Sequence, residues 1–322
     1  MKCGDFVYNR EIKEKYFETL GGSEASKTST RKRFEWFERK IESKLDMDVL
    51  EVSKEQFQDM MNACEWVDLD AVYPICKAIK AYNRWAHETN QSFHYSDMIE
   101  GFDPRTDIDY AIGIRAYIQP SPEALIQHIS KVYDLSEGFE VIPALIFAWL
   151  GFDINDAPKI KKEQVNFDAR IIYNMDGSIY QYNIPECFWE ALRVYSKTFT
   201  ATRFISGSFP VYADDLGFFI KRMLPKGSKK YGTPYTGRQI TSNIGKFMEL
   251  YERKYHEVSH CNYTAAARSG VLYRLYELES SGVDLYAKVS RPQVDAIIGN
   301  KIFMDAMTIY EAYRRVYYPR NK

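Results

Sequence analysis

The chain has 322 residues, of which 45% are hydrophobic and 15% aromatic, so it is long enough for two globular domains with separate cores. Its net charge is −1, and its five cysteines are scattered, without the Cys-x-x-Cys pairs or histidine spacing of a zinc site. No stretch resembles a signal peptide or reaches the roughly 20 apolar residues of a membrane span. These properties predict a cytoplasmic protein without membrane contact, metal or other cofactor.

Charge is distributed unevenly along the chain. Residues 151–322 contain 25 Lys and Arg against 18 Asp and Glu, a net charge of +7, whereas residues 1–150 contain 18 against 26, a net charge of −8. A basic half is weak support for a polyanionic partner, because surface lysines are often only solvated. The charge count alone leaves both interpretations open.

The first 90 residues have the apolar spacing of helices. One helix is predicted from Thr30 to Leu45, with Ser29 or Thr30 as N-cap. A second begins near Ser53, where Ser-Lys-Glu-Gln is a capping box, and a third runs from about residue 69 to residue 89. Glycines and prolines then interrupt the pattern between residues 90 and 120. We therefore predict a helical domain over residues 1–118 and a second domain over residues 119–322.

The second domain is predicted to combine helices with a small β-region. Ser121-Pro122-Glu123 has the residue types that begin a helix, and an apolar helix follows from Val141 to Leu150. Two runs of β-formers, residues 164–173 and 178–184, are joined by a turn ending in Asp-Gly, which indicates a hairpin. Further helices are predicted over residues 185–197, 237–255, 264–279, 291–298 and 302–317. The predicted fold class is mostly α with a small β-hairpin or sheet.

The turn after Leu150 is the most informative segment. Residues 150–161 read Leu-Gly-Phe-Asp-Ile-Asn-Asp-Ala-Pro-Lys-Ile-Lys. This segment resembles the first catalytic box of the tyrosine recombinases and phage integrases, a Gly-hydrophobic-Arg-hydrophobic-Ser-Glu turn. The order of predicted elements over residues 30–318 is also similar to that family. The resemblance implies two domains, a helical SAM-like core-binding domain that clamps DNA and an α+β domain of the catalytic type.

Three catalytic positions of the family are altered in this resemblance. Asp153 stands where the family has its first arginine, Ala265 replaces the histidine of His-x-x-Arg, and Asn300 replaces the histidine that follows Gly299. The hairpin turn, residues 174–178, also lacks the family's lysine. Losing one donor to a developing oxyanion costs about a hundred- to a thousandfold in rate, and a reversed charge should cost more. The resemblance therefore implies a recombinase scaffold that is defective in strand cleavage.

Two catalytic residue types of the family are retained. Arg268 ends the segment Ala265-Ala266-Ala267-Arg268, and Thr308-Ile309-Tyr310 resembles the motif that carries the nucleophilic tyrosine. Tyr313, one turn further on, is the competing position for that tyrosine. A phenol with a pKa near 10 needs nearby cations to act as a nucleophile, and most of those cations are missing.

Lysines and arginines would hold DNA, because they displace counterions from its phosphates. The resemblance implies that double-stranded DNA is clamped between the two domains, with a possible homo-oligomer formed on DNA through residues 313–322. Arg268 and Lys159 are the predicted phosphate contacts of the scaffold itself. The other candidates are the densest basic stretch, the N-terminal helix cations and one helix start: Lys221, Arg222, Lys226, Lys229, Lys230, Arg31, Lys32, Arg33 and Arg238.

Three functional hypotheses follow. The first is a cleavage-defective DNA-binding protein that serves a mobile element as a regulator or accessory factor. The second is an active recombinase in which other residues, such as Lys161, Arg170 or Arg203, complete the site. The third is a helical interaction protein that does not bind DNA, which the near-zero net charge permits.

Overall fold

The computed structural model describes residues 8–66, 69–91, 101–135, 139–180, 183–204, 208–214, 216–225, 232–299 and 303–319. Lys226, Lys229, Lys230 and Asn300, all predicted site residues, lie outside these ranges, and the side chain of Arg203 is not described either. Within them the chain is mostly helical with two small antiparallel sheets, which confirms the predicted fold class. In this part of the chain, no helix is both long and apolar enough to cross a membrane.

The helices and strands are numbered in chain order. The helices are α1 (Arg10–Thr19), α2 (Glu24–Phe37), α3 (Lys54–Asn62), α4 (Leu69–Glu88), α5 (Tyr110–Tyr117), α6 (Pro122–Ser130), α7 (Val141–Leu150), α8 (Glu186–Lys197), α9 (Gly237–Tyr255), α10 (Tyr263–Ser280), α11 (Arg291–Ile298) and α12 (Phe303–Tyr317). The strands are β1 (Val165–Asn166), β2 (Ile171–Ile172), β3 (Thr200–Phe204), β4 (Ser208–Asp214) and β5 (Arg222–Pro225).

The chain forms two compact units. Unit 1 combines Met1–Ala116 with Asn300–Lys322, and unit 2 is Tyr117–Gly299. The C-terminal segment, which the sequence assigns to the second domain, thus clusters with the N-terminal residues. The domain boundary near residue 118 stays a prediction.

Two predicted helix starts are confirmed in detail. The Ser53 hydroxyl accepts from the Gln56 N–H at 3.2 Å, and the Gln56 carboxamide accepts from the Ser53 N–H at 2.9 Å, so the capping box is complete. Ser121 caps α6 with Pro122 at the first helical position. These short-range patterns are readable from sequence because the bonds join residues three apart.

The predicted start of α2 is wrong. Its N-cap is Ser23, which accepts from the Ser26 N–H at 3.3 Å, and not Ser29 or Thr30. Thr30 lies inside the helix, where its hydroxyl donates to the Ser26 carbonyl at 3.2 Å. Because a mid-helix hydroxyl can bond back to the preceding turn, its presence does not mark a helix start.

The β-structure is only partly predicted by the sequence. The Asn174 N–H donates to the Ser178 carbonyl at 2.7 Å, which closes the predicted hairpin turn. The first predicted strand, however, contains a tight turn of its own, since β1 pairs with β2. A three-stranded antiparallel sheet in the order β3-β4-β5 occupies residues 200–225, where the sequence predicted no strand. The expectation of helices alone after residue 185 is therefore wrong for this stretch, which is rich in β-branched and aromatic residues.

Unit 1 buries one lysine among three carboxyl groups. Lys13 on α1 is fully buried, and its Nζ lies 2.6 Å from Glu42 Oε2, 3.4 Å from Asp48 Oδ2 and 3.5 Å from Glu38 Oε2. Glu38 and Glu42 lie in a π-helical turn that continues α2, and Asp48 follows it. Burial raises the pKa of Glu42 to about 7, opposed by Lys13 and reinforced by Asp48. Burial raises the pKa of Tyr82 on α4, and the charges of Asp48 and Glu42 add to that rise.

The Glu42 carboxyl should make the stability of unit 1 depend on pH. Its folded pKa lies above the unfolded value, so its contribution is fully present below about pH 4.5 and is lost as the pH rises through about 7. We expect the free energy of unfolding to fall by up to about 3 kcal/mol over that window, and Glu42→Gln to remove this dependence. Urea unfolding across the window tests it, with Glu11→Gln, an exposed change on α1, as the control. Equal pH dependence in Glu42→Gln and the unmodified protein would refute the assignment.

Candidate functional site

The box turn, residues 151–157, begins where α7 ends. Gly151 adopts the left-handed conformation with φ of 93° and terminates the helix. The exposed Asp153 then folds back on its own turn, because its Oδ1 accepts from the Asn155 N–H at 2.7 Å. Its carbonyl accepts from the N–H groups of Asp156 at 3.0 Å and Ala157 at 2.9 Å. The Asp153 carboxylate, at the predicted position of the family's arginine, is thus held by the turn itself.

The box turn packs against the first residues of α9 and α10. A Cβ atom on Gly237, the first residue of α9, would lie 2.6 Å from Asn155 Oδ1, so the helix approaches this closely only because the residue is glycine. Tyr263, the first residue of α10, donates its hydroxyl to the Phe152 carbonyl at 2.8 Å. Burial raises the pKa of Tyr263, and the nearby Asp153 charge adds to that rise. Within unit 2 the turn therefore lies beside two helix starts.

Ala265 and Arg268 lie on the first two turns of α10. Ala265 is buried, and its N–H donates to the capping Asn262 Oδ1 at 2.9 Å. Its methyl group cannot exchange a proton, whereas the histidine that the tyrosine recombinase pattern has at this position can. Arg268 follows one turn later and is half-buried, and burial lowers the pKa of its guanidinium. An arginine nonetheless stays charged in proteins, so it can bind an anion.

Both candidate tyrosines are packed inside unit 1. Tyr310 is 3% exposed and Tyr313 is fully buried, with their ring centroids 6.3 Å apart on α12. Tyr313 also packs edge-on against Tyr317 at 5.5 Å. Tyr310 belongs to unit 1, whereas Asp153, Ala265 and Arg268 belong to unit 2. Each tyrosine therefore has a packing role within its unit, and the nucleophile assignment stays a prediction.

The predicted DNA-binding cations of α2 differ in environment. Arg31 forms a two-pronged ion pair with Glu14, with N–O distances of 2.8 Å and 2.5 Å, and its guanidinium lies 4.7 Å from the Phe17 ring centre. Hydrogen bonding to Arg31 lowers the pKa of Glu14. Lys32 is exposed and Arg33 is half-buried. Lys32 is thus the most accessible cation of this group.

Lys221 and Arg222 are not surface cations, contrary to the expectation from their basic stretch. Lys221 is 2% exposed, and its Nζ donates to the carbonyls of Tyr195, Ser196 and Thr198 at 2.6 to 2.9 Å, where it neutralises the negative end of α8. Arg222 is also buried, and it donates to the carbonyls of Thr233 at 2.7 Å and Pro234 at 2.6 Å. Both side chains hold the β-sheet to neighbouring segments.

Four further predicted cations, all among the described residues of unit 2, lie at its surface. Lys159 pairs with Asp156 at 2.9 Å, and Arg170 pairs with Glu186 at 2.7 Å. Lys161 lies 3.8 Å from Glu163. Arg238, which follows the close contact at Gly237, is exposed at the start of α9. Throughout the described residues, no group of three or more His, Cys, Asp or Glu side chains could hold a metal ion.

The N-terminal region is similar to a known domain family. Residues 7–88 match the family model described as the MrpR N-terminal core-binding domain. The core-binding domain predicted from the resemblance is therefore confirmed for this region. The resemblance to the tyrosine recombinase family is supported by this match, which covers about a quarter of the chain.

Two of the solved structures that match the chain are a transposon integrase and a recombinase. The integrase of transposon Tn1549, in complex with transposon right-end DNA, is 13% identical, with 97% of this chain and 95% of that chain covered and a TM-score of 0.40. The XerA recombinase is 13% identical, with 96% and 97% covered and a TM-score of 0.39. No curated protein sequence matches the chain.

Proposed function

We propose that this chain is a double-stranded-DNA-binding protein built on a tyrosine-recombinase-like scaffold and defective in strand cleavage. The observation that carries the proposal is Asp153, an exposed carboxylate fixed by the Asn155 N–H in the box turn. A carboxylate repels the phosphodiester that an arginine would hold there, and the reversed charge opposes the negative charge of the transition state. Binding can persist without that arginine, but cleavage should not.

The surroundings of the box turn support binding without chemistry. Ala265 supplies no group for proton transfer, and its neighbour Arg268 keeps a positive charge on α10. Arg238 is exposed at the start of α9, next to the close contact between Gly237 and Asn155. Arg238 at the start of α9 and Arg268 on the second turn of α10 can each attract phosphate groups, and the match of residues 7–88 to a core-binding domain supports the same role.

A protein that holds duplex DNA without cutting it suits a regulatory or accessory role. We extend the proposal to such a role in a mobile element, carried out in the cytoplasm. The active-recombinase alternative is less favoured because Asp153 places a negative charge where cleavage needs a cation.

The proposal predicts salt-sensitive DNA binding. Retention on duplex DNA should weaken steeply between about 50 and about 200 mM salt, because bound phosphates release counterions. Arg238→Gln should reduce the slope of log affinity against log salt by about one, whereas Arg253→Gln, at the opposite end of α9 and close to Glu249, should leave it unchanged. Salt-independent retention, or no retention, would refute DNA binding.

Cleavage is tested separately, on a nicked duplex carrying a sequence selected by binding from a random library. We expect no covalent protein–DNA adduct under conditions where the duplex is fully bound. An adduct that disappears in Tyr310→Phe would refute the cleavage defect and leave DNA binding intact.

A further inference from the structure

The outer face of α4 in unit 1 contains a basic pocket that the proposed function does not use. Its volume is about 300 Å³, near the lower end of the range for small-molecule sites. The pocket is formed mainly by one helix face and by the loop before α5: Tyr73, Cys76, Lys77, Lys80, Arg84 and Pro104.

Three cations follow one another along this face. Lys77 and Lys80 are three residues apart, and Lys80 and Arg84 are four apart, so their side chains leave the same side of the helix. Lys77 and Arg84 are about 10 Å apart along the helix axis, and their long side chains can bend toward Lys80 and shorten that distance. Lys77 and Arg84 are exposed and Lys80 is half-buried. Asp103, beside Pro104, is an acidic neighbour, and its Oδ1 accepts from the Arg105 N–H at 3.0 Å.

The rest of the pocket is apolar and aromatic. Cys76 and Pro104 are buried and form its floor. Burial raises the pKa of the Cys76 thiol to about 12, so the thiol remains neutral and acts as an apolar surface. Tyr73, a large aromatic residue, lies at one end of the pocket, and 52% of its surface is exposed. An exposed ring beside three cations can stack on a planar group while the cations hold an anion.

We propose that this pocket binds a small phosphate-bearing molecule of nucleotide size, with its phosphates on Lys77, Lys80 and Arg84 and a planar ring against Tyr73. Charge complementarity favours a diphosphate, because its negative charge is comparable to that of the three cations. The concave shape and apolar floor favour a compact ligand over a duplex, which contacts proteins along a surface of phosphates. The sequence pattern that reveals the site is Tyr-x-x-x-Lys-x-x-Lys-x-x-x-Arg on a predicted helix.

The test uses calorimetric titration of the full chain with ADP, without divalent metal, and with pyrophosphate in a parallel arm. We expect saturable binding of ADP, weaker binding of pyrophosphate, and at least a tenfold loss of ADP affinity in Lys77→Ala and in Arg84→Ala. Tyr73→Ala should weaken ADP and leave pyrophosphate unchanged. Lys15→Ala, an exposed lysine of α1 outside the pocket, should have no effect. Exposed positions are chosen so that the variants keep the fold, which circular dichroism checks.

Two results would overturn the site. One is the absence of ADP and pyrophosphate binding up to millimolar concentration, and the other is binding that Lys77→Ala and Arg84→Ala do not weaken. Loss of duplex retention in these variants, without small-ligand binding, would assign the face to DNA and also refute the pocket. Duplex binding by the unmodified protein is measured separately, so failure of the pocket leaves the proposed DNA function untouched.

Discussion

Replacing Lys13 with methionine should lower the free energy of unfolding of unit 1 by about 3 to 5 kcal/mol. Methionine fills similar space, so the main change is electrostatic. The carboxyl groups of Glu38, Glu42 and Asp48 would remain buried within reach of one another without the Nζ that now lies 2.6 to 3.5 Å from them. Like charges in a low-dielectric interior repel strongly, and burying a charge without its partner is costly.

Urea unfolding near neutral pH measures this loss, with Lys15→Met as the matched control. Lys15 is exposed on the same helix, so its replacement should change the free energy of unfolding by less than about 0.5 kcal/mol. The double variant Lys13→Met with Glu42→Gln should recover part of the loss, because one carboxyl group is removed. A loss below about 1 kcal/mol in Lys13→Met alone would show that the ion cluster contributes little.

The sequence predicts helices whose signals are local. Residues 141–150, 237–255 and 291–298 form helices with the predicted bounds, since apolar periodicity and capping residues act over a few positions. The burial of Lys13 is not readable in this way, because a lysine between glutamates on an amphipathic helix also suits an exposed face. Only the contact between α1 and the π-helical turn, 29 residues away along the chain, determines it.

In the candidate site, too, short motifs predict some positions, whereas contacts between distant residues determine others. The glycine turn, Asp153 and Ala265 are placed by short motifs, and the structure has them at a helix end and a helix start, as those motifs require. The sequence groups Lys221 and Arg222 with their basic neighbours. In the structure, the first lies among the carbonyls that end α8 and the second among backbone carbonyls of residues 233 and 234. A cation attracted by backbone oxygens and a cation available for phosphate have the same sequence signature, and tertiary packing decides between them.

Gly270→Ala should destabilise unit 2 by about 3 kcal/mol, because α10 crosses α7 at this glycine. A Cβ atom there would lie 1.9 Å from the Trp149 carbonyl oxygen, which is backbone and cannot rotate away. The two helices would have to separate, and the hydrogen bond from Arg274 Nη1 to the same oxygen, now 2.9 Å, would lengthen. Overpacking of a tight core costs about 1 to 3 kcal/mol, and this contact lies at the upper end because the lost hydrogen bond adds to it.

Gly245→Ala on α9 is the matched control for this crossing. Its Cβ would meet no atom within 4 Å, so the substitution should stabilise the helix by about 0.5 to 1 kcal/mol through reduced freedom of the unfolded chain. The pair therefore makes the same chemical change with opposite expected signs, and urea unfolding measures both. Equal effects of the two substitutions would mean that α7 and α10 do not approach at Gly270. Because the box turn follows α7 directly and Arg268 lies on α10, a separation of these helices should also weaken DNA retention in Gly270→Ala under conditions where the variant remains folded.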